Sequence, residues 1–383
     1  MKFFHLSDLH IGFKLWNQDL SEDQSYIFDQ VIRAAGKEKP DAVVIAGDIY
    51  DKAVPSAESV EMFDRFISGL TEASPDTEIM MISGNHDSPS RLNVYRSVLE
   101  RQKIHMIGTP PRLPGEKIER VTLQDQYGEV DFYLLPFVKP SMVKVIVGTD
   151  ENGNNLSYSD TVHRLIEREQ IDGSRRNVLV SHQFYIPPGG DSSDVERMDS
   201  EVVTVGNIDS VQGDILQQFD YGALGHIHKP MKVGGECFRY CGTPLACSVS
   251  EAGQEKGILM VEMGEKGNVG ISVIPLVPLR QVKVVKGSLE EVLAQACDDY
   301  VTVILTDQID LDVIDTSDRI RHSFPHLLEI RREILRKAEY EQAYRMEAET
   351  SPFELCCSFL GDLDNREQEI LRDVINTVQE VKE

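Results

Sequence analysis

Residues 41–51 read DAVVIAGDIYD. Five apolar residues, Ala42 to Ala46, run straight into the turn pair Gly47-Asp48. A short apolar run closed by a turn signal reads as a strand. The same reading repeats on both sides. KFFHL (2–6) precedes it as a strand and EIMMIS (78–83) follows it. Between the first two, residues 22–35 place Tyr26, Ile27, Val31, Ile32 and Ala35 close to helical spacing. After Pro55, Ser56 through Leu70 predicts a helix with Val60, Phe63, Phe66, Ile67 and Leu70 inward. Strand-helix-strand-helix-strand implies a parallel sheet with crossover helices, hence an α/β fold.

Past residue 115 the strands come closer together: VDFYLLP, NVLVSH, YGALG, CFRYCG, GILMVEM and VGISVIPL, the last two joined by a GEKGN hairpin turn. A mixed sandwich with helices outside both sheets accommodates this order. The stretch IPLVPLR (274–280) marks a boundary. Residues 1–275 form the first domain on this reading, 276–345 a small α/β unit and 346–383 a helical tail. In the second unit QVKVVKG and VTVIL are strands. Ser288 and Glu291 form a capping box that opens a helix through Cys297. In the tail, Ile370, Leu371, Val374, Ile375, Val378 and Val381 share one apolar stripe, a packing or docking face.

The bulk properties narrow the function classes. Of 383 residues, 41% are hydrophobic and 27% charged, as in an ordinary soluble protein. The longest apolar runs fall far below the ~20 residues of a membrane span. MKFFHLSDLH carries an acidic residue and no small-residue cleavage site, so a signal peptide is not expected. Six cysteines without a CxxC pair are expected to be reduced thiols in the cytoplasm. The net charge of -25 opposes direct nucleic-acid binding. Any such role requires local positive charge, bound metal ions or a partner chain.

The polar residues gather at strand ends. KFFHL ends in Ser7-Asp8-Leu9-His10, DAVVIA in Gly47-Asp48, and EIMMIS in Gly84-Asn85-His86-Asp87. NVLVS ends in His182, and YGAL in Gly225-His226-Ile227-His228. In α/β sheets, ligands bind beyond the carboxyl ends of the strands. Taken singly, Asp-x-His and Gly-Asp are ordinary turn or cap pairs, and a lone histidine is an ordinary rim residue. Five in one order point to metal ligands. His226 and His228, at i and i+2, face the same way on an extended chain. They can share one metal, hold two, or be polar residues at a loop mouth. Carboxylate, imidazole and amide donors suit Mn²⁺, Fe²⁺ or Zn²⁺. Two ions need one bridging group, for which Asp48 at a central strand end is the natural choice. Two divalent ions against Asp8 and Asp48 leave the site near +2, enough to hold a phosphodiester in an acidic chain.

SDLHIG, AGDIYD, SGNHD, VSH and LGHIH resemble the five motifs of the calcineurin-like metallophosphoesterases. GNHDSPSRL, the long insertion GGDSSDVERMDSEVVTVGNID and FRYCGTPLACSVSE are similar to the nuclease subunits of the double-strand-break repair family, with Thr243 where serine is usual. The resemblance implies a four-layer αββα sandwich followed by a capping domain. It implies a first metal on Asp8, His10, Asp48 and His228, and a second on Asp48, Asn85, His182 and His226, both Mn²⁺. His86 is then the catalytic residue by the scissile phosphate, oriented or polarised by Asp87. Lys14, Arg91 and Lys229 flank the motifs as candidate substrate-phosphate contacts. Some relatives carry a second substrate-facing histidine where this chain has Asp51. No P-loop motif is present, so ATP is expected on a partner, an SbcC-type ATPase docked by SPFELCCSFLGDL and the tail stripe. The resemblance further implies a homodimer within a heterotetramer, acting on DNA as exonuclease and endonuclease. Two other readings are a phosphatase or small phosphodiesterase with the same site, and a non-catalytic scaffold with this fold.

Overall fold

The computed structural model describes residues 1–192, 195–201, 209–307, 313–333, 352–360 and 364–379. In chain order the main strands of the first 276 residues are β1 (Lys2–Leu6), β2 (Ala42–Ala46), β3 (Glu78–Ile82), β4 (Ile104–Ile107), β5 (Glu119–Asp125), β6 (Gly128–Leu135), β7 (Arg176–His182), β8 (Tyr221–Gly225), β9 (Met231–Lys232), β10 (Phe238–Tyr240), β11 (Lys256–Met263) and β12 (Val269–Leu276). They build two six-stranded mixed sheets, ordered β12-β11-β1-β2-β3-β4 and β9-β10-β8-β7-β6-β5. Strands β1 to β4 are parallel to one another, as are β6, β7 and β8. The hairpin β11–β12 closes one edge antiparallel.

The period-2 alternation of strand side chains sorts the core into layers. Phe3, Val44, Met80, Phe132, Val178 and Tyr221 meet between the two sheets. Their neighbours Phe4, Val43 and Met81 face the other way. They pack on helices α1 (Ser21–Glu38) and α2 (Ala57–Ala73) through Ile27, Val31, Phe66 and Leu70. On the far face of the second sheet, Tyr133, Leu179 and Leu224 pack against α3 (Pro140–Val147) and α4 (Tyr158–Glu167). Each fully buried aliphatic or aromatic side chain contributes roughly 1.5–3 kcal/mol, so three such layers fix the sheets firmly.

The inward face of α2 differs from the sequence reading at Val60, and at the border of the α1 stripe Tyr26 stays half outside. Tyr26 is 40% exposed and Val60 46% exposed, while Phe28 and Met62 take the inward positions. The apolar stripe of α2 turns by about one residue from the one expected. Ser56 caps α2 by accepting from the Ser59 amide at 3.2 Å.

Beyond residue 276 lies a separate parallel three-stranded sheet: β13 (Val282–Gly287), β14 (Tyr300–Leu305) and β15 (Leu327–Arg332). Its own core contains Val285, Leu289, Val292, Val303, Ile320 and Phe324, with helices α5 (Leu289–Leu293) and α6 (Val313–Ser323). The capping box forms as read: the Ser288 amide and hydroxyl both donate to Glu291 Oε2 at 2.8 Å. Helix α5 ends at Leu293, not Cys297. This unit is tied to α1 through the buried Asp23, which accepts from Arg280 at 2.9 Å and Tyr300 Oη at 2.8 Å.

The tail contains α7 (Pro352–Leu360) and α8 (Asn365–Gln379). Ile370 and Val374 are 57% and 51% exposed, and Val381 of the expected stripe lies outside the described residues. Residues 351 and 361–363 of the second expected docking segment also lie outside them, as do 308–312 and 334–350. No helix among the described residues is long and apolar enough to cross a membrane. All six cysteines are free thiols.

Candidate metal centre

The carboxyl ends of β1, β2 and β3 in one sheet, and of β7 and β8 in the other, converge on one point. Three glycines permit the convergence. A Cβ on Gly47 would lie 2.3 Å from His182 Nδ1, and one on Gly84 would lie 2.1 Å from Asp48 Oδ1. A Cβ on Gly225 would meet the Ala46 carbonyl oxygen at 1.9 Å and His182 Nδ1 at 2.8 Å. Gly225→Ala is therefore expected to destabilise the fold by about 1–3 kcal/mol through forced backbone movement, read as a lower urea midpoint with unchanged slope.

The backbone turns sharply where the chemistry sits. Asp8, His10, Asp48 and His226 all have positive φ, at 53°, 42°, 48° and 105°. Non-glycine residues visit that region at a cost, and it persists where the surroundings over-determine it. Here the Asp8 and His10 amides donate to the Gly47 and Asp48 carbonyls at 2.9 and 3.0 Å. The loops after β1 and β2 are thus stitched together before any side chain is counted.

Seven expected ligands come together. His10 Nε2 lies 3.2 Å from His228 Nε2 and 3.7 Å from Asp48 Oδ2. His228 Nε2 is 3.9 Å from Asp8 Oδ1. His182 Nε2 is 3.3 Å from Asp48 Oδ2 and 3.0 Å from Asn85 Oδ1, and His226 Nδ1 is 2.9 Å from the same amide oxygen. Three overlapping groups have ligand atoms close enough to hold a cation: Asp8, His10 and His228; Asp8, Asp48 and His182; and His10, Asp48 and His86. Asp8 and Asp48 each belong to two groups, so the bridging position is open to both carboxylates.

The electrostatics divide the donors: His10 and His226 are held neutral, whereas, against burial, carboxylates beside His182 and His228 raise both imidazoles, whose protons a cation would displace. Burial pushes His10 down to about 3 and His226 well below the usual imidazole range, so both present lone pairs. Burial likewise opposes charge on His182, but Asp48 beside it pushes the imidazole up to about 9. Burial raises the Asp8 carboxyl, whereas for Asp48 the neighbouring histidines overcome burial and hold the carboxyl well below its normal range. The two imidazole Nε2 atoms that face each other at 3.2 Å could both direct lone pairs to a cation between them. The residues present fit a two-metal site. His182 is oriented for it: Nδ1 donates to the Ala46 carbonyl at 2.8 Å, and Nε2, whose proton a cation would displace, points at Asp48 and Asn85.

His86 stands at the edge of the cage, half-buried, its ring edge-on to His10 with centroids 4.9 Å apart. Its Nδ1 lies 3.0 Å from the Asp51 carbonyl oxygen, so Nδ1 donates and Nε2 is left to face the site. The orienting group is thus the Asp51 backbone. Asp87, expected to orient His86, goes elsewhere: its carboxylate accepts from the amides of Ile49, Tyr50 and Gly84 at 3.1, 2.9 and 2.9 Å. It clamps the loops after β2 and β3. Burial and then Asp48 push its carboxyl up to about 6. Asp51, undefined from the sequence, holds its carboxylate 3.9 Å from His10 Nδ1.

The three basic candidates lie outside this cage. Lys14 and Arg91 are exposed, and Lys229 is ion-paired with Glu196. Sequence reasoning missed Arg197, Ser200, Glu201 and Glu251. Arg197 stacks over Phe184, 4.3 Å from the ring centroid, and its guanidinium lies 3.0 Å from His226 Nε2. Glu201 accepts from the His228 amide at 2.9 Å. Nothing in their spacing marks them, since the first three reach the site through a loop and Glu251 through a short turn.

Oxygen and imidazole donors at the mouth of two facing mixed sheets define the class, a metal-dependent hydrolase. A match of residues 1–230 to the model of the calcineurin-like phosphoesterase family fixes it further. The chain belongs to that family and is a metal-dependent phosphoesterase. Solved structures with a likeness to it include a dimetal phosphatase from Danio rerio, at 13% identity and TM-score 0.41, covering 74% of this chain and 98% of the other. TT1561 of Thermus thermophilus is 10% identical with TM-score 0.39, covering 71% and 98%. GAP50, the anchor in the inner membrane complex of Plasmodium, is 11% identical with TM-score 0.41, covering 86% and 96%.

Proposed function

We propose that this phosphoesterase is an SbcD-type DNA nuclease subunit that cleaves phosphodiester bonds with two Mn²⁺ ions and acts in the cytoplasm with an SbcC-type ATPase. The observation that carries this reading is the part of the chain beyond the family match. A three-stranded unit with its own core and a tail of two helices follow the site-bearing domain. A pocket for a small ester needs neither, whereas a long substrate and a partner chain need added surface. The motif resemblance over the first domain and the insertion before His226 supports the same choice. A homodimer within a heterotetramer belongs to this proposal, and a basic partner surface would offset the net charge of -25.

Asp8, His10, Asp48 and His228 would hold the first metal, and Asp48, Asn85, His182 and His226 the second. When bound, two divalent ions lower the pKa of a water nucleophile and neutralise phosphoryl oxygens. The protein's own residues do the rest. Asn85 supplies a neutral donor that keeps the site cationic. His86, held through Nδ1 by the Asp51 carbonyl, directs Nε2 to the phosphoryl group and, when protonated, gives its proton to the leaving alkoxide. The test is Mn²⁺-dependent cleavage of blunt duplex, hairpin DNA and bis-p-nitrophenyl phosphate, with and without the ATPase and ATP. Cleavage of DNA is expected. Turnover of the small diester alone, even with the partner present, would establish the phosphodiesterase reading instead.

A further inference from the structure

The segment Val195–Glu201, in the insertion between β7 and β8, touches both histidines of the pair that closes the metal centre. Ser200 is the closest contact to His228. Its Oγ lies 2.7 Å from His228 Nδ1 and donates to Glu251 Oε1 at 2.9 Å. Glu251 is 1% exposed, from the short turn Val249–Glu251 that precedes β11. Its second oxygen accepts from Thr243 Oγ1 at 2.8 Å and from Lys256 Nζ at 2.6 Å. Its first oxygen also accepts from the Cys247 amide and the Ser248 hydroxyl, at 3.2 and 3.1 Å. Lys256 in turn donates to the His228 carbonyl at 3.0 Å.

The proton positions follow from this geometry. A hydroxyl has one proton, and Glu251, an ionised carboxylate facing a lysine, can only accept. The Ser200 proton therefore goes to Glu251. The Ser200 oxygen must then accept from His228, which places the imidazole proton on Nδ1. The lone pair is left on Nε2, which faces His10 Nε2 at 3.2 Å and Asp8 Oδ1 at 3.9 Å. His182 has its Nδ1 held in the same way, by a backbone carbonyl. His228 is held through a relay of side chains drawn from the insertion and from the turn before β11.

We propose that Ser200 and Glu251 are positioning residues that fix the ring and tautomer of His228 for metal binding, so that the segment Val195–Glu201 is part of the metal centre and not a surface embellishment. The inference rests on the two-metal reading of the site. It also assigns Thr243 and Lys256 a role: they hold the Glu251 carboxylate in place from its other oxygen.

Partners of a metal-bound histidine are worth about 10–100-fold in affinity. In calorimetric and electron paramagnetic resonance titrations of the full chain with Mn²⁺, Ser200→Ala is expected to weaken one of two equivalents by about that factor and leave the other unchanged. Ser200→Thr, which retains the hydroxyl, is expected to restore it. ¹⁵N spectra of the imidazoles before metal addition should show His228 protonated at Nδ1 in the wild type and a mixture of tautomers in Ser200→Ala. Glu251→Gln should give the same spectrum. If it does not fold, Ser200→Ala, at a half-buried position, decides alone. Two equivalents at wild-type affinity in Ser200→Ala would overturn the relay. A wild-type chain that itself binds fewer than two Mn²⁺ would overturn the two-metal reading instead, so the two failures are distinct.

Discussion

Asp48→Asn is expected to lower turnover by more than about 10³-fold, at least about 4 kcal/mol of barrier, and to reduce bound Mn²⁺ from two equivalents to one or none. The substitution preserves shape and removes a single charge. Asp48 Oδ1 accepts from the His86 amide at 2.9 Å, a bond an asparagine oxygen also accepts, so the loop after β3 is not torn away. What is lost is the anion within 3.3 and 3.7 Å of the His182 and His10 Nε2 atoms. Without it neither group of donors has the charge to hold a divalent ion against water. Metal content by mass spectrometry and turnover on a phosphodiester check this together. Full metal occupancy with wild-type turnover would remove Asp48 from the centre.

His86→Ala should behave differently: metal retained, turnover down by roughly 10²–10⁴-fold. The ring is held at the rim by Nδ1 on a backbone carbonyl, so its removal leaves both carboxylates and the other imidazoles in place. The structure also places His86 within reach of His10 and Asp48 as a candidate ligand. The experiment separates the two roles. A ligand would take metal with it when removed; a residue that acts on substrate would not. Loss of one Mn²⁺ equivalent in His86→Ala would move it into the coordination sphere. Unchanged turnover would leave it with neither role.

Much of the first domain could be read before the structure because its central strands are unbroken apolar runs with a turn after each. Ala42–Ala46 and Glu78–Ile82 need no context. Strand β5, Glu119–Asp125, escaped notice because ERVTLQD alternates half-buried and exposed residues and carries four charges or amides. It is an edge strand, defined by its partner β6 rather than by its own composition. The inward face of α2 was misjudged at Val60 because a residue at the border of an apolar stripe fits either side. The ligands were legible because they end strands. Ser200 and Glu251 were not: a serine in a loop and a glutamate in a turn look like solvated surface. Only the path of the chain brings them 2.9 Å apart and under His228. Asp87 was misread for the opposite reason. Adjacent to His86 in sequence, it points away, to three backbone amides.

The facing imidazoles of His10 and His228 are 218 residues apart in the chain. At about 5–20 residues per second, a ribosome would make the first on the order of 10–40 s before the second. During that interval the nascent chain carries Asp8, His10 and Asp48 on a sheet that still lacks β11, the neighbour of β1 on its other side. Of the three ligand groups, only that of His10, Asp48 and His86 is drawn wholly from early residues. The other two wait for His182 and His228 from the second sheet, so a centre for a pair of ions cannot close sooner. The order of translation therefore sets the order in which the donors of the centre become available.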